Sequence, residues 1–172
     1  RSAVLVPARF ADVAFLRFRR LALVVQKCHT VVEPVMQEDE MSVKAIPDGY
    51  YSLTPYLVIK GAAEAIEFYK KAFGAVETVR MPGPDGRVMH AELQIGNSML
   101  MLSDENPERG FLSPTSRGGA TGSVMLYTDD VDAVFKKAVA AGAKSDQPPT
   151  DMFWGDRMGN LTDPFGHCWA VA

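Results

Sequence analysis

The sequence holds little of what would make its chemistry obvious. Of 172 residues only two are cysteine, Cys28 and Cys168, and three are histidine. Two cysteines are too few for a disulfide framework and lack zinc-ribbon spacing, so a reducing compartment, the cytoplasm, is the default. Neither charge is in large excess: 18 basic against 21 acidic side chains leave a net charge of −3, which removes any global argument for nucleic-acid binding. No apolar run approaches the roughly 18 residues of a membrane span. The run Leu21–Val25 is also shorter than a secretory hydrophobic region, which needs about 7. Neither P-G-P-D-G at 82–86 nor S-R-G-G-A-T-G at 116–122 is followed by the Lys-Ser or Lys-Thr of a phosphate loop. A G-x-S-x-G nucleophile elbow is absent as well.

What remains is a globular composition, 47% hydrophobic and 23% charged, at a length that suits one domain or two small modules sharing a core. Residues 1–40 differ from the rest. Up to Thr30 they carry Arg1, Arg9, Arg17, Arg19, Arg20 and Lys27 against the single acid Asp12; then Glu33, Glu38, Asp39 and Glu40 arrive. This segment reads as upstream of a natural start at Met41, or else as a targeting segment or basic arm.

From residue 50 onward the same unit is written twice. Leu53–Ile59 is a β-rich run, and Ala62, Ile66, Tyr69 and Phe73 form one helical stripe that stops at Gly74. A short strand at Glu77–Arg80 follows, then the turn at Pro82–Gly86, a strand Val88–Ile95, a Gly96-Asn97 turn and a strand Ser98–Leu102. The second copy has a strand Ser123–Thr128, a helix Val131–Ala141 stopped by Gly142, and a connection through Pro148-Pro149. Strands Arg157–Thr162 and His167–Val171 close it around a turn at Asp163–Gly166. Gly74 aligns with Gly142; aligning Gly96 with Gly166 sets His90 against Asn160 and Leu100 against Ala170. The expected fold is α+β, two βαβββ modules (about 50–103 and 122–172) forming a curved mixed sheet with helices on its outer face, joined by a linker or lid at 104–121. The nine methionines read as core filling.

The duplication, together with T-P-Y-L-V-I-K-G-A-A-E-A-I-E-F-Y-K-K-A-F-G-A at 54–75, H-A-E-L at 90–93, W-G-D-R at 154–157 and D-P-F-G-H at 163–167, resembles the vicinal oxygen chelate superfamily. That group includes glyoxalase I, extradiol dioxygenases and bleomycin-resistance proteins, and the likeness is greatest to its PhnB-like, glyoxalase-like branch. It covers residues 41–172. The resemblance implies a homodimer and a small-molecule partner, with no nucleic acid and no membrane. It also implies one metal ligand on the first and last strand of each module, and these positions fall on Thr54, Leu100, Ser123 and Ala170. None supplies the carboxylate, imidazole or thiolate that a divalent metal requires, so no cofactor is expected.

Alternation along the third strand puts His90, Glu92 and Gln94 on the cleft side, with Ala91, Leu93 and Ile95 under the helix. His90 beside Glu92 is a candidate general base, or the seat of a relocated divalent metal, or a hydrogen-bonded structural pair. Tyr56, Met125 and Tyr127 alternate toward the cleft, as does Asn160. Trp154 and Arg157 can stack on and pair with an anionic or aromatic ligand, or serve a salt bridge and an interface. His167 is expected in the helix-facing layer as a satisfied structural histidine, and Cys168 as a small core residue. Two functions remain open: a metal-independent binding protein like the bleomycin-resistance members, using Tyr56, Gln94, Tyr127, Trp154, Arg157 and Asn160, or a glyoxalase-like lyase or isomerase using His90 and Glu92.

Overall fold

The computed structural model describes residues 44–172; the expectations for residues 1–40 lie outside them. The first module comprises β1 (Tyr56–Ile59), α1 (Ala62–Phe73), β2 (Val76–Pro82), β3 (Val88–Ile95) and β4 (Ser98–Asp104). A short helix, α2 (Pro114–Arg117), lies in the connection. The second module comprises β5 (Ser123–Leu126), α3 (Val131–Ala140), β6 (Lys144–Asp151), β7 (Arg157–Thr162) and β8 (Cys168–Val171). Each module is a four-stranded mixed sheet, ordered β1-β4-β3-β2 and β5-β8-β7-β6, with its first strand parallel to its last. The halves adjoin along β1 and β5, where a groove is lined by Tyr56, Leu57 and Val58 of the one and Ser123 and Val124 of the other.

The helical stripe of α1 buries Ala62, Ala65, Ile66, Phe68, Tyr69 and Ala72, and α1 packs beside α3. Gly74 ends α1 in a left-handed conformation, φ 67°, which glycine adopts without a Cβ penalty. At the other end the Asp104 carboxylate accepts from the amides of Gly61 and Ala62 at 3.0 and 2.9 Å, and from Val88 at 2.7 Å. One side chain thus ties the end of β4 to the starts of α1 and β3 and meets the positive end of the helix. In the second module Gly159 has a packing reason. A Cβ there would meet the Phe135 ring of α3 at 2.8 Å, so only glycine lets β7 approach that helix so closely.

Two elements depart from expectation. The Pro148-Pro149 connection is part of a strand, β6, which pairs only with β7 and slips register between Gln147 and Thr150. An edge strand tolerates proline because one side of its ladder is unused. The methionines are not core filling: among the described residues none belongs to the buried core, and Met81, Met89 and Met125 are 51, 59 and 46% exposed.

The modules are joined by a buried carboxylate. Asp163, 3% exposed, accepts from Tyr69 Oη of α1 at 2.7 Å and from Trp169 Nε1 of β8 at 3.0 Å. It also accepts from the amides of Phe165 and His167, each at 2.9 Å. Burial, then the neighbouring Asp163 charge, pushes the Tyr69 phenol well above its ordinary value, so it stays a donor. Tyr69 and Phe73 pack on Trp169 with centroids 5.4 and 4.6 Å away. His167 is buried as expected but not satisfied, because its Nε2 has no partner. Burial lowers its pKa from 6.5, opposed by the Asp163 charge and the Val58 carbonyl.

Two outcomes follow from this junction. Asp163→Ala strands several buried donors and costs about 3 kcal/mol or more, with Tyr69→Phe costing about 1 kcal/mol, both read from denaturant midpoints. Because native His167 resists protonation, its contribution is full above the ordinary pKa of 6.5 and is lost as pH falls through the depressed native value. Stability therefore drops between neutral and mildly acidic pH, ahead of carboxylate titration, and His167→Gln flattens that slope in pH-dependent urea melts.

Candidate functional site

The open face of the first sheet, opposite α1, carries the densest polar chemistry. On β3 the buried side chains are Val88, Ala91, Leu93 and Ile95, while His90 and Glu92 are half-buried on the other face. Parallel pairing sets Tyr56 of β1 opposite Met101 of β4, and Met101 opposite Glu92. His90 Nε2 lies 3.1 Å from Glu92 Oε1, and His90 Nδ1 lies 3.2 Å from Tyr56 Oη. Tyr50 Oη bonds the other carboxylate oxygen, Glu92 Oε2.

The partners fix the proton positions. The Tyr50 hydrogen bond, with His90 adding to it and burial opposing, lowers the Glu92 pKa from its ordinary 4.5. An ionised carboxylate only accepts. Nε2–H of His90 therefore donates to Glu92, and when the ring is neutral Nδ1 accepts from the Tyr56 hydroxyl. The Glu92 hydrogen bond, with burial and the carboxylate charge, raises Tyr50 to about 12. The result is a four-residue chain with an imidazole oriented by a carboxylate at its centre. Chemically it can hold a ligand polar group at the Tyr56 oxygen. If a ligand displaces that hydroxyl, it meets the Nδ1 lone pair.

Tyr50 is the member that sequence reasoning missed. It belongs to a segment ahead of β1 that crosses the open face, beside a cavity of about 480 Å3 shared with Tyr51, Thr54, Glu92 and Met101. The contact spans 42 residues, and no strand or helix period marks it. On the other side of Tyr56 lies a larger half-open cavity of about 630 Å3, bordered by Arg87, Met89, Ser103, Arg109 and Phe111. Met89 is the unpaired residue of a register shift between Met81–His90 and Pro82–Val88, which turns its thioether into this space.

The remaining sequence candidates are dispersed. Gln94 shares the face of Glu92, yet its amide donates to the Gly96 carbonyl at 3.3 Å. Asn160, on the open face of the second sheet opposite Ala170, donates to Gln147 Oε1 at 3.0 Å. Tyr127 is 69% exposed and lines a groove between β5 and the segment that precedes β1. Trp154 bonds Asp156 at 3.1 Å and packs edge-on against Phe153 at 4.9 Å. Arg157 is held by both oxygens of Asp132 at 2.7 and 2.8 Å and by Asp151 at 2.9 Å. Its guanidinium pins β7 to the first turn of α3.

The expected metal positions require one correction. Leu100 is 3% exposed beneath α1 and pairs with Leu93, so it is not on the cleft side. Matching rungs are Tyr56–Met101–Glu92 and Met125–Ala170–Asn160. The Gly96–Gly166 alignment slips because the β3–β4 turn is shorter than the β7–β8 turn, and one residue of slip inverts the face. On the first and last strands those rungs supply a phenol, two thioethers and a methyl, which do not fit a divalent metal. Among the described residues no three His, Cys, Asp or Glu side chains are gathered closely enough to hold one.

Comparison with known proteins agrees with this architecture. The model of the Glyoxalase/Bleomycin resistance protein/Dioxygenase superfamily matches residues 52–171. An uncharacterized protein of Mycobacterium tuberculosis is 44% identical over 138 residues, 78% of this chain and 79% of its own. The solved PhnB protein of Bacillus cereus is 19% identical with a TM-score of 0.56, over 71% of this chain and 98% of its own. TnmS3, an antibiotic binding protein from a Streptomyces species, is 23% identical with a TM-score of 0.52, over 71% of this chain and 97% of its own. At these identities the two structures share the fold. Tyr50 lies ahead of the span that the family model covers.

The Tyr50–Glu92 contact has a direct signature. In Glu92→Gln the acceptor charge is gone, and the Tyr50 phenol returns from about 12 toward its ordinary 10.0. Tyrosine ring carbon shifts followed by NMR through alkaline pH resolve this, with Tyr50→Phe assigning the signal.

Proposed function

The chain belongs to the glyoxalase/bleomycin resistance protein/dioxygenase superfamily, and from that premise we propose that it is a metal-independent small-molecule-binding protein. One observation carries the reading. The hydrogen-bonded chain Tyr56–His90–Glu92–Tyr50 runs from a cavity of about 630 Å3, which Tyr56 lines, to one of about 480 Å3, which Glu92 and Tyr50 line. Few oriented polar groups against apolar walls is the usual make-up of a small-molecule site. The exposed thioethers of Met81, Met89 and Met125 support it, since unbranched sulfur side chains remodel around different ligand shapes. TnmS3, described as antibiotic binding, is a precedent for this use of the fold. The reading includes a homodimer in the cytoplasm. Exposed Met125 on β5 and Tyr127 just beyond its end support the dimer, as a surface that a second copy would cover.

The geometry of His90 favours a second reading, a glyoxalase-like lyase or isomerase on a small oxygenated substrate. An imidazole oriented by Glu92 at 3.1 Å is arranged as a general base: Nδ1 takes a proton from an acidic carbon or hydroxyl, and the carboxylate stabilises the imidazolium formed. The two readings share a site and differ in turnover.

A thermal-shift screen of metabolites and antibiotics tests both. A ligand at about 100 times its Kd stabilises the fold by about 2.7 kcal/mol. Tyr56→Phe and His90→Ala each weaken that ligand by about tenfold, the loss of one well-placed hydrogen bond. Unchanged affinity in both variants sinks the site assignment. Conversion of the ligand by the wild type and not by His90→Ala moves the conclusion to the enzyme. Stoichiometric metal in untagged protein, absent from a His90→Ala/Glu92→Ala double variant, overturns the metal-independent part and places a divalent ion on that pair.

A further inference from the structure

We propose that the ligand of the larger cavity is an anion, a carboxylate or comparably charged group carried on a flat apolar body. The inference rests on the binding reading above and adds its charge. Two arginines, Arg87 and Arg109, line the cavity together with Tyr56, Met89 and Phe111. Among the described residues neither guanidinium has a salt-bridge partner, whereas Arg80 and Arg157 are both paired.

The two acids that also border the cavity form no salt bridge with them and are engaged elsewhere. Asp104 is committed to the backbone: one carboxylate oxygen takes the amides of Gly61 and Ala62, the other takes Val88. Glu105 accepts from the Ser113 amide at 3.0 Å and the Ser113 hydroxyl at 2.8 Å. Asp104 thus spends both oxygens on the backbone and Glu105 spends one on the Ser113 turn, which leaves the two guanidinium groups as the unpaired cations of this space. A guanidinium is planar, always charged and matched to a carboxylate in forked geometry. The remaining wall fixes the rest of the ligand. Phe111 is 57% exposed and Met89 59% exposed, a poor use of apolar surface unless a flat apolar group covers them. The Tyr56 ring, tilted over His90 at a centroid distance of 5.7 Å, joins this surface to the polar chain. A cationic ligand would meet two unpaired guanidinium groups.

The probes are 2-naphthoate and its neutral isostere 2-naphthamide, titrated by calorimetry at low salt into the full chain, with Arg87→Gln and Arg109→Gln as variants. Both arginines are exposed and far from the core, so the variants fold. The expected result is that naphthoate binds at least about tenfold tighter than naphthamide, about 1.4 kcal/mol. Each variant removes most of that preference and leaves naphthamide affinity unchanged, and the preference shrinks with added salt. Equal binding of the two probes overturns the anion assignment while the binding reading stands. A naphthoate preference that survives both substitutions also overturns it, since the charge is then recognised elsewhere. If neither probe binds, the cavity does not take a flat aromatic ligand, and the inference falls with the site assignment beneath it.

Discussion

Much of this fold depends on one buried carboxylate. Asp163 sits at the turn between the last two strands and collects the Tyr69 hydroxyl from the first module's helix, the Trp169 indole and two backbone amides. A charge that deep is tolerable only with its lone pairs satisfied. Satisfying them requires α1, the β7–β8 turn and β8 to come together. Neither four-stranded half could bury a sufficient core alone, and the Tyr69–Phe73–Trp169 stack around Asp163 is where the two become one. The unpartnered His167 nitrogen beside it makes the same junction sensitive to acid.

The open faces follow from how the core is built. Alanine, leucine, isoleucine and aromatic side chains fill the space between helices and sheets, and methionine is kept out of it among the described residues. Thioethers instead share the outward faces with His90, Glu92 and the tyrosines. A rigid interior thus carries a surface of flexible side chains. The exception to flexibility is the chain from Tyr56 to Tyr50, in which each side chain is held by its neighbour. Carboxylates at Asp104 and Glu105 serve the backbone, and those at Asp132 and Asp151 serve Arg157. Glu92 alone among these faces a histidine.

Much of the architecture was legible in the chain. The bounds of α1 coincide with the expected Ala62–Phe73, because a stripe of apolar residues ended by glycine has few other solutions. Alternation along Val88–Ile95 placed His90 and Glu92 on one face. Legibility failed where spacing carries no period. Met101 rather than Leu100 looks outward because the two β-turns differ in length, and no glycine alignment registers that difference. The bulge that turns Met89 outward and the prolines inside β6 are likewise set by pairing partners.

The sequence by itself determined the duplicated βαβββ plan and the helix-facing layer. These are properties of local period and residue type, which need no knowledge of distant neighbours. Tertiary structure decided which residues meet: Tyr50 on Glu92 across 42 residues, Tyr69 on Asp163 across 94, and Arg87 with Arg109 at the rim of one cavity. The same split explains Arg157, which residue type alone offered as a ligand contact and which Asp132 and Asp151 claim for the fold. A side chain's chemistry is written in its own position, but its partner is set by chain closure, and closure depends on turn lengths and core packing summed over the whole domain.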